Sequence, residues 1–204
     1  MGMSDVIAVT ITADTLAADD DGISASAQVA NNAALVIGGA LASGGSVTLS
    51  NARKLTITSG GNDSGISFTI VGTDINGTAQ TESLTGANAG VATSAAFFLT
   101  IASITAVGDP AGTVEAGISG DSSDIVFAGR SRLKGAYLTS TATAGTVDFL
   151  NTSTAGTSLL KISSVASATA TRDVVIPENG VLFTDGIYLQ YTVSTFLTLT
   201  VFHA

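Results

Sequence analysis

One histidine and no cysteine in 204 residues leave this chain few means of moving protons or holding metals. Histidine is the side chain that changes charge between pH 5 and 8. Here it stands penultimate, as His203, at a terminus expected to fray, and it reads as inert. Without a second His or any Cys, nucleophilic triads and imidazole or thiolate metal sites lack the residues to build them. A glycosidase-type pair needs two carboxylates held several Å apart in a cleft, normally one walled by aromatic rings. The chain has no Trp, 3 Tyr and 8 Phe, and most of its Asp and Glu fall in Gly- or Ser-rich stretches. The expectation is a protein that is not an enzyme, with no catalytic residues and no cofactor.

Two acidic runs, Asp19-Asp20-Asp21-Gly22 and Asn62-Asp63-Ser64, carry the hard oxygen ligands that Ca²⁺ takes. Neither has EF-hand spacing, and no bidentate Glu follows at the required interval. They read as solvated turns, as do Asp121 and Asp124, and no metal is expected. The 7 basic residues are partly clustered, with Arg53 beside Lys54 and Arg130 near Arg132 and Lys134. In a chain with 16 Asp+Glu and a net charge of −9, the second cluster suits an acidic patch on a neighbouring subunit, setting registry more than affinity. Ordinary solvent-facing strand ends are the equal alternative. Gly44-Gly45 and Gly60-Gly61 lack the Lys and helix of a phosphate loop and read as turns. So acidic a surface repels phosphate backbones, and no nucleic-acid partner is expected.

Whatever these side chains do, strands must position them. About half of the residues are Ala, Gly, Ser or Thr, and charged residues make up 11%, under half the usual share of about 25%. Leu197, Leu199 and Val201 alternate with Thr198 and Thr200, the period of two that marks a strand. Leu55 and Ile57 alternate with Lys54, Thr56 and Thr58. After the turn chemistry of Ser59–Gly65, Ile66, Phe68 and Ile70 alternate with Ser67 and Thr69. Asn76-Gly77 predicts a tight turn with positive φ at both centres, forming a hairpin into Ala79–Thr85. Ala95–Val107 reads as one long strand or two short ones. Residues 24–42 are rich enough in Ala for helix, but Gly38-Gly39 and Asn31-Asn32 favour a strand over Leu35–Leu41.

Residues 108–124 concentrate turn formers and four acids (Asp109, Glu115, Asp121, Asp124), and they read as a break. Strands resume at Arg132–Ser140, Thr146–Leu150, Ser158–Ser163, Asp173–Ile176, Val181–Phe183, Ile187–Val193 and Phe196–Phe202. Strands at intervals of about 8–12 residues predict an all-β protein. The expected architecture is two antiparallel β-sandwich or jelly-roll-like units, 1–120 and 121–204, with little or no helix. One continuous large sandwich is the alternative. The chain is long enough to bury a core without staples. The start, Met1-Gly2-Met3-Ser4-Asp5, lacks the basic region of a signal peptide, and Val6 stands where myristoylation wants Ser or Thr. No run reaches 18 apolar residues, so no membrane partner is expected.

On period two, Phe196 and Phe202 fall opposite Leu197, Leu199 and Val201. A strand apolar on both faces is central in a sandwich or covered by another subunit. Arg130, Arg132, Lys134, Phe196 and Phe202 are therefore the candidate subunit contacts. The sparse charge, with a mean hydropathy of +0.49, favours a homo-oligomer.

Leu55–Gly90, LTITSGGNDSGISFTIVGTDINGTAQTESLTGANAG, resembles a segment common in tailed-bacteriophage structural proteins. There a TITSxGNDSGxxFTxxGTDxxGxxxTE run leads into TGxNAG. Gly129–Phe202 resembles small phage β-domains that open with GRxRLxGxY and TATAGTVxF and close with IPxxGVLFxxGIYxxxT. The resemblance implies a non-enzymatic virion component, foremost a capsid decoration or cement protein. It implies the phage major capsid protein or other virion proteins as partners, with a trimer favoured for self-assembly. The protein would be made in the host cytoplasm and reside in the virion. A tail, neck or fibre-attachment component is the alternative within the particle. A carbohydrate-binding adhesion module, helped by Ca²⁺, is the alternative outside it, and the absence of Trp counts against that reading.

Overall fold

The computed structural model describes residues 5–164 and 169–204, and among these it is all-β, with no helix. The strands are β1 (Ile7–Thr12), β2 (Asp19–Gln28), β3 (Ala42–Ser43), β4 (Ser46–Ser59), β5 (Ser67–Thr73), β6 (Ala79–Thr85) and β7 (Val91–Val107). They continue with β8 (Thr113–Phe127), β9 (Ser131–Ser140), β10 (Gly145–Asn151), β11 (Ser158–Ser164) and β12 (Thr171–Val175). The last three are β13 (Val181–Phe183), β14 (Ile187–Thr192) and β15 (Phe196–His203). They form two antiparallel sheets in a sandwich-like arrangement. The chain divides into a central unit, residues 17–122, and a terminal unit made of residues 1–16 and 123–204.

That division differs from a boundary at 120, because β1 belongs with the C-terminal strands. It pairs with β15 from Ile7↔His203 to Thr12↔Thr198. No local signal in the first sixteen residues announces a partner nearly 200 residues away.

In the terminal unit one sheet runs β1-β15-β9-β12, with β13 also on β9, and β11-β10-β14 forms the other series. Alternation sends Ile11, Leu133, Ala136, Leu138, Val147, Phe149, Leu189, Leu199 and Val201 into a common core. Phe196 joins them, against the period-two expectation. Its partner is Ser140, and Thr198 already faces Thr139, so Leu197 is an extra residue in a β-bulge. The bulge turns Leu197 outward at 51% exposure and Phe196 inward at 1%, where its ring meets Tyr191 edge-on at 4.9 Å.

The central unit orders its strands β8-β4-β7-β5-β6, with β2 on β8 and β3 on β4. Ile23, Leu55, Ile57, Phe68, Ile70, Phe98, Ile101 and Ile104 are fully buried. Leu35–Leu41 is not a strand. After a single bridge at Ala34, Gly38 N and Gly39 N both donate to Ile23 O at 3.1 and 2.9 Å. A Cβ on Gly39 would sit 2.4 Å from the Gly22 carbonyl oxygen, so only Gly passes there. Leu35, Ile37 and Leu41 pack on the core from this covering segment.

The expected break at 108–124 holds a fifteen-residue strand, β8, from Thr113 onward. Gly117 sits inside it because β2 approaches closely there: a Cβ would fall 1.8 Å from Asp19 O. Ala95–Val107 belongs to one long strand, β7. The β5–β6 hairpin forms as the Asn-Gly pair predicts, but with a five-residue loop. Only Gly77 takes positive φ (77°), and Asp74 Oδ1 accepts from Asn76 N at 2.9 Å and Thr78 N at 2.8 Å. From β6, Glu82 accepts Ala95 N and Ala96 N at 2.8 and 3.0 Å, and Gln80 donates to Phe97 O at 2.6 Å. These side chains satisfy β7 backbone beyond the end of its pairing with β5.

Candidate interaction surface

The outward side of the terminal unit's first sheet is a grid fixed by three registers. Thr12, Thr198, Thr139 and Thr171 form one rank across β1, β15, β9 and β12. Thr10, Thr200, Tyr137 and Asp173 form the next, and Ala8, Phe202, Gly135 and Val175 the third. Asp173 is the one charged residue among these twelve. Thr10 and Thr200 share a hydrogen bond, Oγ1 to Oγ1 at 3.0 Å. Tyr137 is 41% exposed and Val175 78%. A surface depleted in charge and carrying exposed aromatics has the composition of an interface core. Its Thr side chains are stiff at χ1, so docking freezes little rotamer entropy.

At one margin of this face, β1 pairs with β15 and with no second strand among the described residues. Its sequence, IAVTIT, carries no charge, Pro or Gly. Val6 and Ile7, each 52% exposed, leave an apolar end uncovered.

Of the candidate subunit contacts, Phe202 lies on this face at 36% exposure, its ring beside Gly135, where a Cβ would come 3.9 Å from it. Phe196 does not; the bulge buries it, and it is core. Arg132 and Lys134 reach back to their own chain, donating to Asn179 O at 3.3 Å and Glu178 O at 3.2 Å. They hold the loop between β12 and β13. Arg130 is exposed, just before β9. The structure therefore does not bring the three bases together with the two phenylalanines as one patch.

The acidic runs resolve into separate local roles. Asp63 is fully buried, and its Oδ1 accepts Ala111 N at 2.7 Å while its own N donates to Ala87 O at 2.9 Å. Ala89 N to Gly61 O (2.7 Å) and Gly60 N to Thr113 O (2.7 Å) complete a clasp of three loops. Asn62 Oδ1 accepts from Ser64, and Asn62 bridges Asn88. The GNDSG and TGANAG runs are thus the two halves of one structural knot. Asp19 opens β2 on the strand edge, Asp121 pairs with Lys54 at 3.5 Å, and Asp124 Oδ1 accepts Ile125 N at 2.8 Å. Among the described residues, no three His, Cys, Asp or Glu side chains gather as metal ligands. Arg53 is fully buried, its guanidinium donating to Ser119 O.

His203 does not lie at a frayed end. It is 2% exposed, its Nδ1 lies 2.9 Å from Ser131 Oγ, and the Phe127 ring stands 4.9 Å away, centroid to centroid. Beyond it, Ala204 exchanges two backbone hydrogen bonds with Arg132, at 2.7 and 3.0 Å. Burial lowers the His203 pKa below its ordinary value.

Compared with protein-family models, with curated proteins and with solved structures, the chain matches none.

Proposed function

We propose that this protein is a structural component of a tailed-phage virion, a capsid decoration protein that works by protein–protein assembly. The observation that carries the reading is the Thr- and aromatic-rich face of the terminal unit, eleven of whose twelve positions are uncharged in a protein of net charge −9. A chain this acidic that leaves a broad sheet face neutral keeps it available for another protein surface. The resemblance of the runs at 55–90 and 129–202 to phage structural proteins supports the choice of particle.

Co-sedimentation with empty capsids of the encoding phage tests it. Saturable binding, at a stoichiometry matching a capsid lattice position, is expected. Binding to tails alone would move the protein to the tail or neck, and binding to neither would end the virion reading.

A further inference from the structure

We propose that the open edge of β1 is a self-association site, at which a second copy of this chain pairs its own β1 antiparallel about a two-fold axis. The inference deepens the assembly reading above and rests on it for its biological setting, but it is tested on the free protein.

Edge strands are normally blunted by Lys, Pro, a bulge or a cover, because their unpaired backbone groups recruit other strands. Among the described residues β1 has none of these devices: IAVTIT is uncharged, β-branched at five of its six positions and in unbroken register with β15. A two-fold axis normal to the sheet through Val9 sets Val9 opposite its own copy. In that register Ile7 meets the second copy's Ile11, and Ala8 meets its Thr10. Val6 falls opposite Thr12, and the half-exposed Ile7 gains an apolar neighbour on the core side. Since Ile7 and Ile11 share one face and Ala8 and Thr10 the other, the pairing joins core side to core side and outer grid to outer grid.

The self-matching register of β1 decides for a copy of this chain. Two molecules of net charge −9 repel one another, and β1 is a place where neither brings a charge. The first acids flanking β1 are Asp5 and Asp14. Both lie outside the strand, and continuing this register sets Asp5 opposite Ala13, so the two carboxylates are not placed directly opposite each other. A six-residue edge buries less than the roughly 1,600 Å² of a standard interface. Association is therefore weak in free solution and strengthened where copies are held side by side on a lattice.

The test uses the full chain in analytical ultracentrifugation up to several hundred micromolar, with circular dichroism to check folding. The A8K/T10K variant places Lys against Lys twice across the axis and is expected to weaken self-association by about tenfold or more. The A8K/T10E variant turns the same contacts into two Lys–Glu pairs and is expected to restore it. Because the chain has no other cysteine, Val9→Cys forms an intermolecular disulfide under oxidation when the axis runs through that residue. A wild type that stays monomeric throughout the range overturns the proposal. So does association that A8K/T10K leaves unchanged, failure of A8K/T10E to restore it, or failure of Val9→Cys to cross-link. Capsid binding by a folded, monomeric protein would sink this edge contact while leaving the virion reading standing.

Discussion

Ser131 Oγ and His203 Nδ1 stand 2.9 Å apart, with the His203 ring against that of Phe127, and this pair ties the end of β15 to the start of β9. The other ring nitrogen, Nε2, is buried without a hydrogen-bond partner among the described residues. A second ring proton would place a charge in this buried site, and desolvation there lowers the pKa in the folded state.

The pH dependence follows from that direction. Above pH 7 His203 is neutral folded and unfolded, and contributes nothing to the difference. As pH falls through about 6.5, the unfolded chain takes up a proton that the folded chain refuses, so stability is lost. With one His in the chain, the interval from pH 7.5 to 5.5 belongs largely to this group. Thermal unfolding should show a lower Tm at pH 5.5 than at 7.5, and His203→Gln should flatten the difference. An equal drop in the variant would refute the assignment.

Phe196 and Leu197 exchange the roles that period two assigns them, so their truncation costs should be far apart. Phe196→Ala empties a fully buried ring site beside Tyr191 and should cost about 3–5 kcal/mol. Leu197→Ala, at a half-exposed bulge position, should stay within roughly 0.5 kcal/mol. Urea unfolding of both variants measures the contrast, and similar values would mean that the bulge is absent.

The same comparison marks what the sequence could carry. β6 and β13 coincide with the runs read from alternation, because Ala79–Thr85 follows a Gly-containing turn and Val181–Phe183 is bounded by Gly180 and Asp185-Gly186. β8 was hidden because Gly117 and Asp121 are turn formers by propensity, and their places in the strand come from a close neighbour strand and from Lys54. The outer grid was hidden for another reason. Its Thr10–Thr200 and Ala8–Phe202 pairs join residues at opposite ends of the chain, and no local pattern encodes that register. The outward place of Phe202 follows from alternation along β15, whereas the residues ranked beside it do not follow from any local pattern.

Asp63 holds the loop clasp through a single acceptor, so its variants should separate hydrogen bonding from charge. Asp63→Ala leaves the Ala111 N–H unsatisfied and should destabilise by about 1–3 kcal/mol. Asp63→Asn keeps an oxygen for that donor and should lose less. Gly61→Ala should lose more than either, since its Cβ would fall 1.3 Å from Ala111 O. Chemical denaturation of the three orders them, and Asp63→Asn as damaging as Asp63→Ala would show that the carboxylate serves another purpose.

Tyr137 stands in the middle of the neutral grid, with Thr200 on one side and Asp173 on the other. It is exposed, so Tyr137→Glu should leave the fold intact while placing a charge where the partner surface must be desolvated. Capsid affinity should drop by about tenfold or more, as for a central aromatic anchor. Because the face lacks ion pairs to screen, wild-type affinity should change little, less than roughly threefold, between low and high salt. Arg130→Glu distinguishes the alternative of basic registry with an acidic patch. If that variant abolishes binding, and salt does the same to the wild type, Arg130 and its neighbours make the contact and the Thr grid does not.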